Sequence, residues 1–141
     1  AIILVTGAGG VLKQVLVNTG AGKLLADLLL HAGVSVVLFA YLSAAIIRLL
    51  QGSATVAMIT AASLLAPLLI SGMYSPIQLA ALVAAIAAGA TIFSHVNDSG
   101  FWLVKQYLGL TENQTFKSWS LMTLLISVVA GLLSALIFYL A

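Results

Sequence analysis

From Leu49 to Asn97, and again from Ser118 to Ala141, the chain carries no Asp, Glu, Lys or Arg. A membrane-spanning helix needs about 20 mostly apolar residues, so the two stretches have room for about three spans. A soluble core of that extent would need polar helix faces, and these stretches do not supply them. Over the whole chain, 63% of residues are hydrophobic and 6% are charged. Soluble domains carry about 25% charged residues. Five basic and three acidic side chains cannot coat a water-facing surface, and mean hydropathy is +1.25. Lipid is therefore the solvent the sequence implies. The expected fold is all-α and integral to the membrane: a polytopic helical bundle forming one transmembrane domain over residues 1–141.

Other classes are excluded on the same footing. A net charge of +2, without aromatic-basic stripes, does not suit nucleic acid. Cysteine is absent, which removes disulfides and thiolate metal sites. His31 and His95 alone are too few for structural zinc. No nucleophile, base and orienting group form a set, so an enzyme is not expected, nor a cofactor. The chain opens on Ala1 inside an apolar run that lacks the basic start and small-residue cleavage site of a signal peptide. The expectation is a piece of a longer polypeptide.

Within this apolar background the helices are interrupted. Thr6-Gly7-Ala8-Gly9-Gly10 breaks the first run, and Lys13, Gln14, Asn18, Lys23, Asp27 and His31 punctuate the next. Residues 1–31 thus read as a broken helix or re-entrant hairpin, because freed backbone groups in a bilayer need protein or water partners. Residues 34–70 exceed one span and read as a discontinuous helix, unwound at Gln51-Gly52-Ser53-Ala54-Thr55. Ser71 to Pro76 is a turn. Residues 76–108 form an Ala-rich span with a polar break at Ser94-His95-Val96-Asn97-Asp98-Ser99-Gly100. Thr111 and Gln114 have capping-box spacing and open the final span, 111–141.

Each break admits a functional and a packing reading. Backbone N–H groups at Gly9 and Gly10 suit an anion at a half-helix start, and glycines equally allow close helix packing. Gln51, Ser53 and Thr55 are neutral hydrogen-bonding groups of the kind that line midplane solute sites, or they bond their own helix. Arg48 suits a carboxylate, from a solute or from Asp98, or it snorkels to the interface. Asp98 is an ionisable group in apolar surroundings and a candidate proton carrier, with His95 three residues away to assist. Alternatively, Asp98 caps the helix that starts at Ser99.

Gly7 to Leu16, Arg48 to Ala57 and Ser94 to Trp102, with the tail Gly109-Leu110-Thr111 through Lys117-Ser118-Trp119, closely resemble the C-terminal part of the gluconate permease (GntP) family. The resemblance covers the chain in register. It implies a multi-pass secondary transporter of the bacterial inner membrane, moving a small hydroxy acid with protons; relatives carry gluconate, related sugar acids or D-serine. It further implies inverted repeats with re-entrant hairpins, so that this chain supplies one half of a solute site and partners the remaining N-terminal part. On this reading Gly9, Gly10, Arg48, Gln51, Ser53, Thr55, Asn97 and Ser99 meet the substrate. Asp98 and His95 carry the proton, the only coupling ion. The expected partners are a small carboxylate, the bilayer and, in some states, a second copy, but not nucleic acid. A non-transporting scaffold subunit and a passive channel are the rival readings.

Overall fold

The computed structural model describes residues 33–69 and 73–141, together with Val11, Gln14, Val15, Asn18, Thr19, Gly20, Leu24 and His31. The glycine cluster at 6–10, with Gly9 and Gly10, lies outside the described residues. So does nearly all of the expected 1–31 hairpin. The described residues form helices joined by short turns, with no strand among them.

Local chemistry sets the helix ends. Helix α1 (Val36–Gln51) starts at Ser35, whose hydroxyl accepts from the Leu38 N–H, and stops at Gly52. Gly52 takes a left-handed φ of 71° and donates its N–H to the Arg48 carbonyl at 2.8 Å, a helix-ending geometry that glycine adopts without steric cost. One residue later Ser53 caps α2 (Ala54–Leu65), accepting from Val56 N at 3.3 Å. A 3₁₀ turn at Ala66–Leu69 extends α2 through Pro67. Helix α3 (Pro76–Thr91) opens with Pro76 behind a reciprocal Ser75–Gln78 capping box. Asp98 caps α4 (Ser99–Tyr107). Thr111 and Gln114 form a second capping box, at the start of α5 (Glu112–Thr115). A π turn, Phe116–Ser120, joins α5 to α6 (Leu121–Leu140).

Among the described residues only Glu112–Leu140 is long and apolar enough to cross a membrane. Val36–Gln51, Ala54–Leu69 and Pro76–Thr91 are shorter apolar helices. Sixteen residues rise about 24 Å, short of the ~30 Å hydrocarbon core. The described residues thus hold one helix of full-span length and three shorter ones. Gly52 ends the first of the shorter helices, and the turn after Thr91 ends the third.

The core lies where α1, α3 and α6 pack together, and it is built from small residues. Ala40, Ala44, Ala81, Ala85, Ala90 and Ser127 are almost wholly buried. Helices α1 and α3 approach at Gly89. A Cβ there would fall on the Tyr41 backbone carbonyl and lie 3.1 Å from the Ala44 methyl. On α6, a Cβ at Gly131 would come within 2.7 Å of the Tyr41 ring, and the Tyr41 hydroxyl meets the Ser127 hydroxyl at 2.9 Å. Small residues permit such backbone approach between apolar helices. The outer face of α6 is the opposite in kind. Leu125, Val129, Leu132, Leu133 and Leu136 are each more than half exposed, a surface suited to lipid or to further apolar helices.

Candidate functional site

Two chain breaks, 52–53 and 92–98, come together in space. The end of α1 presents backbone carbonyls that no later helical N–H can reach, and the 92–98 turn supplies the donors. Asn97 Nδ2 donates to the Leu49 carbonyl at 3.0 Å and to the Leu50 carbonyl at 3.4 Å. The His95 ring nitrogen meets the same Leu49 carbonyl at 3.1 Å. Gly52 is buried against this turn, and a Cβ there would collide with the Asn97 backbone carbonyl. Glycine is thus required at 52 twice over, by its φ and by this contact.

Arg48 and Asp98 hold the junction together. Arg48, 7% exposed, forms an ion pair with Asp98, 8% exposed. Its other terminal nitrogen donates to the Gly52 carbonyl, so the cation also stabilises the negative end of its own helix. Arg48 Nε is buried and has no acceptor among the described residues. Asp98 receives three donors: Arg48, the Ser94 hydroxyl and, at 2.9 Å, the Gly100 N–H. The capping and ion-pair readings of Asp98 are therefore both met, one carboxylate oxygen serving each. Arg48 does not snorkel, because its guanidinium is committed inward.

Ser94, 1% exposed, ties the junction to the helix that begins at Glu112. Its N–H donates to Thr123 Oγ1 at 3.0 Å, and its carbonyl accepts from the Ser120 hydroxyl. Its hydroxyl accepts from the Trp119 indole N–H at 2.9 Å. Beneath the polar groups lies an aromatic layer. Phe101, fully buried, packs on Phe116 at 4.8 Å between ring centroids, and Phe93 stacks on Phe116 at 6.3 Å. Phe93 has φ of +30°, an uncommon conformation for a bulky residue that marks this turn as over-determined by its surroundings.

The structure gathers some of the expected site residues and separates others. Arg48, His95, Asn97 and Asp98 meet. His95 does not bond Asp98 through its ring: 92–98 is a turn, so the three-residue helical spacing does not apply, and the imidazole reaches α1 instead. Ser53 is a helix cap. Gln51, Thr55 and Ser99 are exposed around the break. Ser94, Trp119, Ser120 and Thr123 were not singled out from sequence. Their signal was small polar residues at 120, 123 and 127 in an otherwise apolar helix. Trp119 is half-buried against Ser94.

Helices of partial-span length, a lipid-suited outer face and a charged junction at paired helix breaks are features of the kind found in helical membrane proteins. The model of the GntP family permease matches residues 1–141. The chain belongs to that family. It is 43% identical over 139 residues to the low-affinity gluconate transporter of Escherichia coli (strain K12), covering 99% of this chain and 31% of that protein. It is 45% identical over 131 residues to a gluconate permease of Pseudomonas aeruginosa, covering 92% of this chain and 28% of the relative. A gluconate permease of Bacillus subtilis (strain 168) is 45% identical over 130 residues, with the same 92% and 28% coverage. The chain thus spans less than a third of the length of these curated relatives. No solved structure matches it.

Proposed function

We propose that this chain supplies one half of the solute site of a proton-coupled symporter for a small hydroxy acid, gluconate or a related sugar acid, in the bacterial inner membrane. The observation that carries the reading is the buried Arg48–Asp98 pair at the meeting of two helix breaks. A lone buried charge is costly, whereas a pair is tolerated. Protonating Asp98 leaves Arg48 as an uncompensated cation, and a substrate carboxylate restores neutrality. One proton and one anion then load together, and the site is near zero charge both empty and full. Arg48 Nε, buried without an acceptor among the described residues, offers a carboxylate oxygen a donor that Asp98 does not use. Asn97, Gln51, Ser53, Thr55 and Ser99, around the break, meet the hydroxyls. Gly9 and Gly10 contribute N–H groups from a re-entrant arm within 1–31, and His95 assists the proton's transfer by leaving the Leu49 carbonyl it holds at 3.1 Å and turning to Asp98. The rest of the transporter, related by an inverted repeat, completes the site.

Relatives named for gluconate favour a sugar acid over an amino acid such as D-serine, whose ammonium would add a second cation beside Arg48. The test is uptake into proteoliposomes under an imposed pH gradient. Wild type accumulates gluconate against its gradient, and Asp98→Asn abolishes the accumulation. Full proton-driven accumulation by that variant overturns the proton role. Flux in both directions without accumulation identifies a channel. Unchanged uptake by Gln51→Ala and Ser53→Ala leaves the first break a packing device only.

A further inference from the structure

The Ser94 hydroxyl has one proton to give, and its surroundings decide where it goes. The Trp119 indole is a donor and never an acceptor. Because Trp119 Nε1 donates to Ser94 Oγ at 2.9 Å, it occupies a hydroxyl lone pair and leaves the Ser94 proton directed at Asp98 Oδ2. That is the same carboxylate oxygen that Arg48 holds. Ser94 cannot swing away, since its N–H and carbonyl are fixed by Thr123 and Ser120. Two of these anchors, Trp119 and Ser120, lie in the π turn of the long helix. A π turn within an α-helix is rare and recurs at functional sites.

We propose that Ser94, oriented by Trp119 of the π turn, is a positioning residue that holds the Asp98 carboxylate on Arg48 and so governs when Asp98 takes up its proton. The inference rests on the reading of Asp98 as the proton carrier. The relay runs from Trp119 to Ser94 to Asp98, with Arg48 on the far side. Among the described residues, Arg48 of α1 is the charged group on Asp98. His95 of the same turn is engaged at Leu49. The long helix faces Ser94 and Asp98 with Trp119, Ser120 and Thr123, none of which titrates near neutrality, while its Lys117 is exposed. Lys105 of α4 is paired with Glu112 at 2.8 Å. A turn of the helix around Trp119 would release the Ser94 proton from Asp98, lowering the hold on its charged form.

The experiment measures the pH profile of gradient-driven gluconate uptake by the full-length transporter in proteoliposomes for wild type, Ser94→Ala, Ser94→Cys, Trp119→Phe and Asp98→Asn. Loss of the Ser94 donor disfavours the charged carboxylate, so protonation persists to higher pH. The uptake midpoint then moves toward alkaline pH by about one unit in Ser94→Ala. Ser94→Cys, a weaker donor of similar size, lies between it and wild type. Trp119→Phe, which keeps the ring and loses the N–H, moves the midpoint in the same direction by a smaller amount. If Ser94→Ala fails to fold, the Cys and Phe variants decide the matter. Reduced uptake with an unmoved midpoint across the series overturns the proposal while leaving Asp98 as the carrier. Persistence of proton-driven accumulation in Asp98→Asn overturns both readings.

Discussion

The packed seam of α1, α3 and α6 and the junction at 48–52 and 92–98 share the same helices but are held in different ways. At the seam, Gly89 and Gly131 let backbone and ring approach, and specificity comes from volume. At the junction the helices stop, and specificity comes from donors matched to carbonyls and one cation matched to one carboxylate. Volume tolerates small errors gradually, whereas an unmatched buried charge does not. The difference teaches that two contacts between the same helices can be held by unlike means. The seam is held by shape, while the junction is held by matched charges and donors.

Four single substitutions and one double variant test that contrast. The largest effect is expected for Arg48→Ala, which strands Asp98 and costs about 3–5 kcal/mol, read as a lower melting temperature in detergent. The double variant Arg48→Ala with Asp98→Ala should recover part of the loss. If the double is no better than the single, the pair is not the element holding the junction. At the seam, Gly89→Leu forces a side chain onto the Tyr41 carbonyl, and an overpacking cost of about 1–3 kcal/mol follows. A neutral outcome by thermal melting would mean that α1 and α3 sit farther apart than described. Tyr41→Phe removes one neutral hydrogen bond to Ser127 and costs about 1 kcal/mol; a larger loss would shift the seam toward the junction's logic. Lys105→Ala breaks a surface pair with Glu112 and changes stability by less than about 1 kcal/mol, setting the baseline for an exposed ion pair.

What sequence could disclose was local. Gly52 as a breaker, Pro76 behind its cap, Thr111 with Gln114 and Asp98 before Ser99 are readable because capping chemistry acts within four residues. The Arg48–Asp98 pair was readable only as one of three options, since fifty residues of separation carry no geometry. Ser94 was passed over because its importance lies in three bonds to a helix that starts eighteen residues later. The shared face of His95 and Asp98 depended on the segment being helical, and 92–98 is a turn, so that spacing does not apply there. The π turn left no visible mark, because Phe116-Lys117-Ser118-Trp119-Ser120 has no composition that distinguishes it from ordinary helix.

That turn has a consequence for the register of the whole helix. The polar residues buried along it are Thr115, Ser120, Thr123, Ser127 and Ser134, with Phe138 beyond them. The first interval is five residues, and the next two are three and four. The five-residue step is the π period, one residue more than an α-helix spends returning to the same side. The spanning helix is therefore two rods clutched out of phase by one residue, about 100° of rotation. Deleting any one residue from 116–120 would re-engage the clutch in ordinary α phase. Thr115 and the cap before it could then keep their place only if Trp119 and Ser120 surrendered theirs.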